Sequence, residues 1–327
     1  MSIFSSKILT FFIFCVINWC GSFGKGFYGK EKCMNPYLVI ILADVLLATT
    51  FVFQKKYQQK VGTALRASLW YTILTALCSV VFLFVLNGFT IRVSGPSLLL
   101  AVLMALASTI YGLIGFRIME KGSLGVYMLF LMSGGMAIPY FYGIWFLGET
   151  PSLVSTIAFS LIIASTFISN ISKDKVEKKQ LLLCIIVFFL NGIVSTVGKI
   201  HQMHPVSQWV TPSYFTFLTS SLRIVVSLIT LAFCHKIDPK EKQGKVQISL
   251  KPVLLLILIS SIVDSACYML QLVGASNLPA TVMYPLQNGG TVVLTALAGY
   301  LFFREKQTVK QLIGTGIALV GTLLFLL

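Results

Sequence analysis

The sequence predicts an all-α polytopic membrane protein: ten transmembrane helices arranged as two inverted five-helix repeats. Three observations carry that reading. Hydrophobic residues make up 57% of the 327 residues and charged ones 11%, with a mean hydropathy of +0.89, which excludes an ordinary soluble domain. The apolar runs are roughly 18–24 residues long, enough to cross about 30 Å of hydrocarbon. The third is an internal offset. Superposing Glu149 on Glu305 also aligns Gly134 with Gly290, Leu147 with Phe303 and Ser152 with Thr308. At the same offset, LLLAVLMALASTIYG near Leu98 meets LLLILISSIVDSACY near Leu254. A long fixed offset that links several helices is the mark of a duplicated half.

Residues 1–35 form an N-terminal extension. Lys7 precedes ILTFFIFCVINWC, a basic start with a short apolar centre, yet no small-x-small cleavage site follows. A second reading starts translation at Met34, because Lys30-Glu31 can be encoded by a bacterial ribosome-binding sequence. The first repeat is assigned to 36–170, with spans near 36–54, 68–87, 96–117, 123–147 and 152–170. Residues 171–180, ISKDKVEKKQ, read as a cytoplasmic linker. The second repeat covers 181–327, with spans near 181–199, 212–234, 252–273, 278–303 and 308–327. Pro36, Pro151, Pro212 and Pro252 sit at or near helix starts, where a missing N–H costs nothing. Pro139 and Pro285 fall inside spans four and nine, where they free a carbonyl and belong against protein or a cavity.

The net charge of +15 does not point to nucleic acid, because the bases sit in short loops between spans. Eighteen Lys and Arg fall in the odd-numbered loops and six on the other side, Lys199 being counted among the six. This bias places the odd loops in the cytoplasm and both ends of the ten-helix core outside. The seven cysteines are scattered with no CxxC, a pattern of small buried side chains rather than of disulfides or zinc.

The turns LGETPS at 147–152 and FREKQT at 303–308, each closing a fourth repeat helix, carry a family likeness, as does the glycine-rich final helix QLIGTGIALVGTLLFLL. Asn191-Gly192 ahead of Lys199 adds to it; Ala48-Thr49 ahead of Lys56 departs further. On these residues the chain resembles the drug/metabolite transporter superfamily, specifically its ten-helix EamA-type members. The resemblance implies a secondary carrier with a central cavity between inverted halves, open alternately to each side.

Asp44, Arg223 and Asp264 lie eight, eleven and twelve residues beyond Pro36, Pro212 and Pro252, which places each near the bilayer midplane. A charge there costs about 2.5–3.5 kcal/mol on insertion scales and is a site hypothesis by default. Arg223 is expected to meet an anionic substrate group, with Asp44 or Asp264 carrying a coupling proton; the competing reading is an internal Arg–Asp pair that only fixes packing. Tyr127, Ser133 and Tyr140 in span four, Tyr284, Gln287 and Asn288 in span nine, and Asn191 and Gln271 offer hydrogen bonds and ring faces to a ligand, or glue between helices. Of these, Tyr127, Tyr284, Gln287, Asn288 and Asn191 join Arg223 as candidate substrate-binding residues. Glu149 and Glu305 each precede a helix, where a carboxylate favours the positive end of the dipole, with Thr150-Pro151 as cap and first-turn proline. His201 and His204 share a helical spacing without a third ligand.

The chain contains no HExxH, GxSxG or Walker-type loop, so an enzyme is not expected. The reading is a multi-pass secondary transporter of a small metabolite (an amino acid, nucleotide-sugar or drug-like compound), working by alternating access in a cell membrane, the bacterial inner membrane. No cofactor or metal is expected. The partners expected are the small-molecule substrate and the lipid bilayer, with proton or exchange coupling, as monomer or homodimer and without nucleic acid. The rivals are a lipid-linked substrate translocator of the same fold and a membrane enzyme or sensor.

Overall fold

The structure is a computed structural model that describes residues 35–62, 65–120, 124–170, 178–237, 250–304 and 307–326. The readings made for the N-terminal extension, most of both long hydrophilic connectors, and Glu305 lie outside the described residues.

Ten α-helices follow one another: α1 (Pro36–Val61), α2 (Leu65–Leu86), α3 (Gly95–Glu120), α4 (Leu124–Phe146), α5 (Leu153–Asn170), α6 (Lys178–Met203), α7 (Pro212–Ile237), α8 (Leu250–Asn277), α9 (Ala280–Phe303) and α10 (Val309–Leu324). A short 3-10 turn, Pro205–Gln208, lies between α6 and α7. Among the described residues, eight helices are long and apolar enough to cross a membrane, and α5 and α10 are shorter apolar helices. This is a multi-pass membrane protein. Its outer surface carries large apolar side chains such as Val81, Leu99, Trp145, Phe146, Leu255 and Leu301, as a lipid-facing wall requires.

Local chemistry sets the helix ends. Asn35 caps α1 by accepting the Tyr37 amide at 3.0 Å, with Pro36 in the first turn. Thr308 and Gln311 form a reciprocal capping box at α10. The start of α5 corrects the expectation from sequence. Its cap is Ser152, whose hydroxyl accepts the Ser155 amide at 3.1 Å, and Thr150-Pro151 lies outside the helix. Pro139 and Pro285 sit inside α4 and α9 and are buried, so no broken backbone faces lipid. Gly148 after α4 has φ 67° and Arg304 after α9 has φ 53°. Both turns are left-handed, one with the residue that adopts that conformation freely and one with a residue that does not.

Helix packing links the first five helices to the second five in matching pairs. α4 packs on α6 and α9 on α1; α3 packs on α6 and α8 on α1; α3 packs on α7 and α8 on α2. Between them α2 meets α7, α4 meets α9 and α5 meets α10. Close approach depends on small residues. A Cβ on Gly134 would strike the Phe188 backbone of α6, and one on Gly290 would strike the Asp44 carboxylate of α1. These are the two glycines that the sequence offset aligns.

At one end of the bundle, Thr90 and Tyr214 share a hydrogen bond of 2.5 Å. Arg92 lies over the rings of Trp209 and Tyr214, 4.6 and 5.1 Å from their centres. Glu149 belongs to the same end, and the opposite end carries Lys60 and Gly62.

Candidate functional site

Arg223 on α7 and Asp264 on α8 approach each other to 3.8 Å. Arg223 belongs to a polar stripe of Thr216, Ser220, Arg223 and Ser227, spaced at helical intervals. The other three are buried. Asp264 is flanked on its face by buried Ser260, Ser261 and Cys267. Both residues therefore lie on protein-facing sides, yet each side chain keeps 38% of its surface accessible. Neither charged group is sealed in a packed seam. Tyr71 of α2 and Tyr111 of α3 lie within electrostatic range of the pair, and Tyr268 of α8 within range of Arg223. The Tyr71 and Ser260 hydroxyls hydrogen bond at 2.6 Å, and Tyr268 donates to Met104 Sδ at 3.0 Å.

Asp44 of α1 is buried, and its Oδ1 accepts the Thr291 hydroxyl of α9 at 3.3 Å. Cys267 lies within electrostatic range of both carboxylates. Its thiol donates to the Ala43 carbonyl and accepts from Gln271 Nε2, each at 3.3 Å.

The neutral candidates fall elsewhere. Asn191 donates to the Leu131 carbonyl at 2.7 Å, Tyr284 to the Ser195 carbonyl at 2.6 Å, and Asn288 to the Tyr284 carbonyl of its own helix at 2.8 Å. Tyr127 is buried with Cys184 and Val187 and packs on Tyr111. Gln287 Oε1 is buried without a partner. The structure thus brings Arg223 and Asp264 together, seats Asp44 apart from them on Thr291 of α9, and places Asn191 and Tyr284 at helix contacts. Both ring nitrogens of His201 are engaged, Nε2 with Ser97 at 2.9 Å and Nδ1 with Gln202 at 3.0 Å. His204 Nδ1 accepts the Val206 amide at 3.1 Å.

Glu149 does not serve the helix that follows it. Its two carboxylate oxygens accept the amides of Ala280 and Thr281 at 2.7 and 2.8 Å, which caps α9 from 131 positions away. The main chain is set for this: Gly148 reverses the chain, and the Glu149 amide donates to the Gly143 carbonyl at 3.0 Å. A Cβ on Gly143 would come within 2.5 Å of that carboxylate. Lys199, expected in a loop, is a buried residue of α6. Its ammonium donates to the carbonyls of Ala275 and Leu278 at 2.8 and 2.6 Å, at the end of α8. A carboxylate on a helix N-terminus and an ammonium on a helix C-terminus both satisfy orphan groups and suit the dipole. Together they clasp the α8–α9 turn.

The second five helices make both halves of this arrangement, the clasped turn and the Arg–Asp pair. Residues 178–327 match the model of the EamA-like transporter family. The EamA-like match covers α6 to α10, is consistent with the drug/metabolite transporter superfamily, and points to a membrane transporter of small molecules. A solved structure described as "Crystal structure of protein" superposes with a TM-score of 0.67 at 12% identity, over 88% of this chain and 95% of that one. At that identity the likeness shows the fold alone. No curated protein matches the sequence.

Sequence reasoning missed Tyr71, Tyr111 and Tyr268 as neighbours of the pair. Tyr268 was accessible to it, lying one helical turn from Asp264 on the same face. Tyr71 and Tyr111 depend on α2 and α3 packing on α7 and α8, for which spacing holds no signal.

Proposed function

We propose that this protein is a secondary transporter that moves a small polar solute across the cell membrane by alternating access, with Arg223 and Asp264 as its substrate-contacting charges. The observation that carries this reading is the accessible surface of an oppositely charged pair on protein-facing sides of mid-bundle helices. A packing pair has no use for that surface, and a solute site requires it. Most helix contacts run between the two five-helix halves and few within them, so opening to either side repacks the seam between the halves.

The Glu149–Lys199 clasp is the gate at its end of the bundle. Glu149 ties the α4–α5 turn to the start of α9 and Lys199 ties α6 to the end of α8, so the site is closed on that side, which the Lys and Arg bias makes the outside. Asp44 is the coupling carboxylate, because it is buried on one hydroxyl and sits where α1 meets α9.

The test is uptake and counterflow in proteoliposomes, using radiolabelled amino acids, nucleotide-sugars and cationic drugs with wild type and Arg223→Gln. Uptake of one class that saturates and falls at least tenfold in a folded Arg223→Gln supports the reading. Saturable uptake untouched by the substitution removes Arg223 from the site, and no carrier-dependent flux of any class defeats the transport reading itself.

A further inference from the structure

The charge balance of the site limits what it can hold. The Arg223 guanidinium and the Asp264 carboxylate stand 3.8 Å apart, too far for a hydrogen bond and close enough to neutralise each other. Lys199 of α6, which is buried, is held by the Ala275 and Leu278 carbonyls at the Glu149 end. A multiply anionic ligand therefore finds one positive charge offset by one negative charge. A monocation meets the same balance in reverse. Either would leave uncompensated charge inside the bundle, where it is costly.

We infer that the pair receives a small zwitterion, its anionic group on Arg223 and its ammonium on Asp264. This inference rests on the transport reading and narrows its substrate. A molecule with opposite charges a few bonds apart lies alongside the guanidinium and carboxylate and keeps the total charge at zero. It also exchanges one loose ion pair for two charge-assisted hydrogen-bonded contacts. The planar guanidinium suits a carboxylate or phosphate in bidentate fashion. Tyr71, Tyr111 and Tyr268 place ring carbon beside the pair, which accommodates an apolar substituent or attracts the ammonium through the ring face. The sequence offset sets Ser108 opposite Asp264 and Ala67 opposite Arg223, so the first five helices hold no second copy of this charge pair. One zwitterion per chain is the consequence.

Free zwitterionic solutes and zwitterionic lipid headgroups share this chemistry, and the experiment separates them. Thermal unfolding of the purified full chain in detergent is measured with L-phenylalanine, L-leucine and glycine betaine. Phenethylamine, which lacks the carboxylate, and 3-phenylpropanoate, which lacks the ammonium, are run beside them. Proteoliposome uptake of the wider solute panel is measured in parallel. The expected result is stabilisation by at least one soluble zwitterion, with both trimmed analogues binding at least tenfold more weakly. In Asp264→Asn the zwitterion falls to the level of 3-phenylpropanoate, and in Arg223→Gln to the level of phenethylamine. Should Arg223→Gln not fold, Asp264→Asn decides alone, since only a direct ammonium contact makes its effect depend on the ligand's nitrogen.

Stabilisation in nanodiscs that contain phosphatidylethanolamine but not in those of phosphatidylglycerol, with no response to soluble zwitterions, assigns the site to a headgroup and keeps the zwitterion chemistry. Equal binding of phenylalanine and 3-phenylpropanoate overturns the inference. So does Arg223-dependent uptake confined to nucleotide-sugars or cationic drugs, and in that case the transport reading survives. Failure of every solute and lipid overturns both.

Discussion

Two sets of charge occupy this bundle and they are built differently. At the Glu149 end, Glu149 and Lys199 make four hydrogen bonds of 2.6–2.8 Å to main-chain groups at the facing ends of α8 and α9. Each charge is placed on the helix end whose dipole it complements. At mid-bundle, Arg223 and Asp264 stand 3.8 Å apart with 38% of each side chain free. In the first arrangement each charge is fixed by two main-chain groups and can only hold or release them. The second is unsaturated and can accept a ligand. Hydrogen bonding separates the clasp from the site: four charge-assisted bonds to main chain in one, an ion pair beyond hydrogen-bond distance in the other.

The contrast is broken most strongly by deleting the clasp. Glu149→Ala strips two helix-end amides of a charged acceptor and is expected to cost about 2–4 kcal/mol, from hydrogen bonds to charged groups worth about 1.5–3 kcal/mol each. Thermal unfolding in detergent reads the loss, and a thiol placed at Ala280 should become reactive from the Glu149 side. Lys199→Met keeps the length and removes the charge. It should cost about 1–3 kcal/mol, because two carbonyls lose their donor while the desolvation of the ammonium is also relieved. Arg223→Gln is expected to change stability by under about 1 kcal/mol, as an accessible pair contributes little, while uptake drops at least tenfold. A stability loss equal to that of Glu149→Ala would falsify the division between clasp and site.

Two smaller effects sharpen it. Asp44→Asn should leave ligand-induced stabilisation intact and abolish the response of uptake to an imposed proton gradient; an unchanged gradient response would relieve Asp44 of the coupling role. Arg304→Gly should raise stability by about 1 kcal/mol at most, because it relieves a left-handed non-glycine residue at φ 53°. No gain in the unfolding midpoint would mean that the turn carries no strain worth relieving.

The bundle was largely legible in the sequence because membrane helices announce themselves by run length. All ten expected spans correspond to helices, and the differences lie at the ends. α1 continues to Val61 and α8 to Asn277, beyond the apolar runs, since a helix does not stop where the hydrocarbon does. Arg223, Asp264 and Asp44 were legible for the same reason, each being a charge in an apolar run. The clasp was not. A capping rule is local, and Glu149 precedes α5 in sequence, so the rule assigns it there. Its actual partners, the amides of α9, come within reach only because α4 and α9 pack together. Lys199 was misplaced because hydropathy ends a span at a lysine, whereas α6 continues through it to Met203. Moving Lys199 out of the loop tally leaves the Lys and Arg bias stronger than the sequence count gave it.

The most direct test of the central claim measures unfolding midpoint and uptake per folded molecule side by side for Arg223→Gln, Asp264→Asn and Glu149→Ala. The account expects the first two to unfold close to wild type and transport little, and the third to unfold well below it. If instead Arg223→Gln and Asp264→Asn destabilise the bundle as Glu149→Ala does and retain full uptake, the mid-bundle pair is packing and the site lies elsewhere.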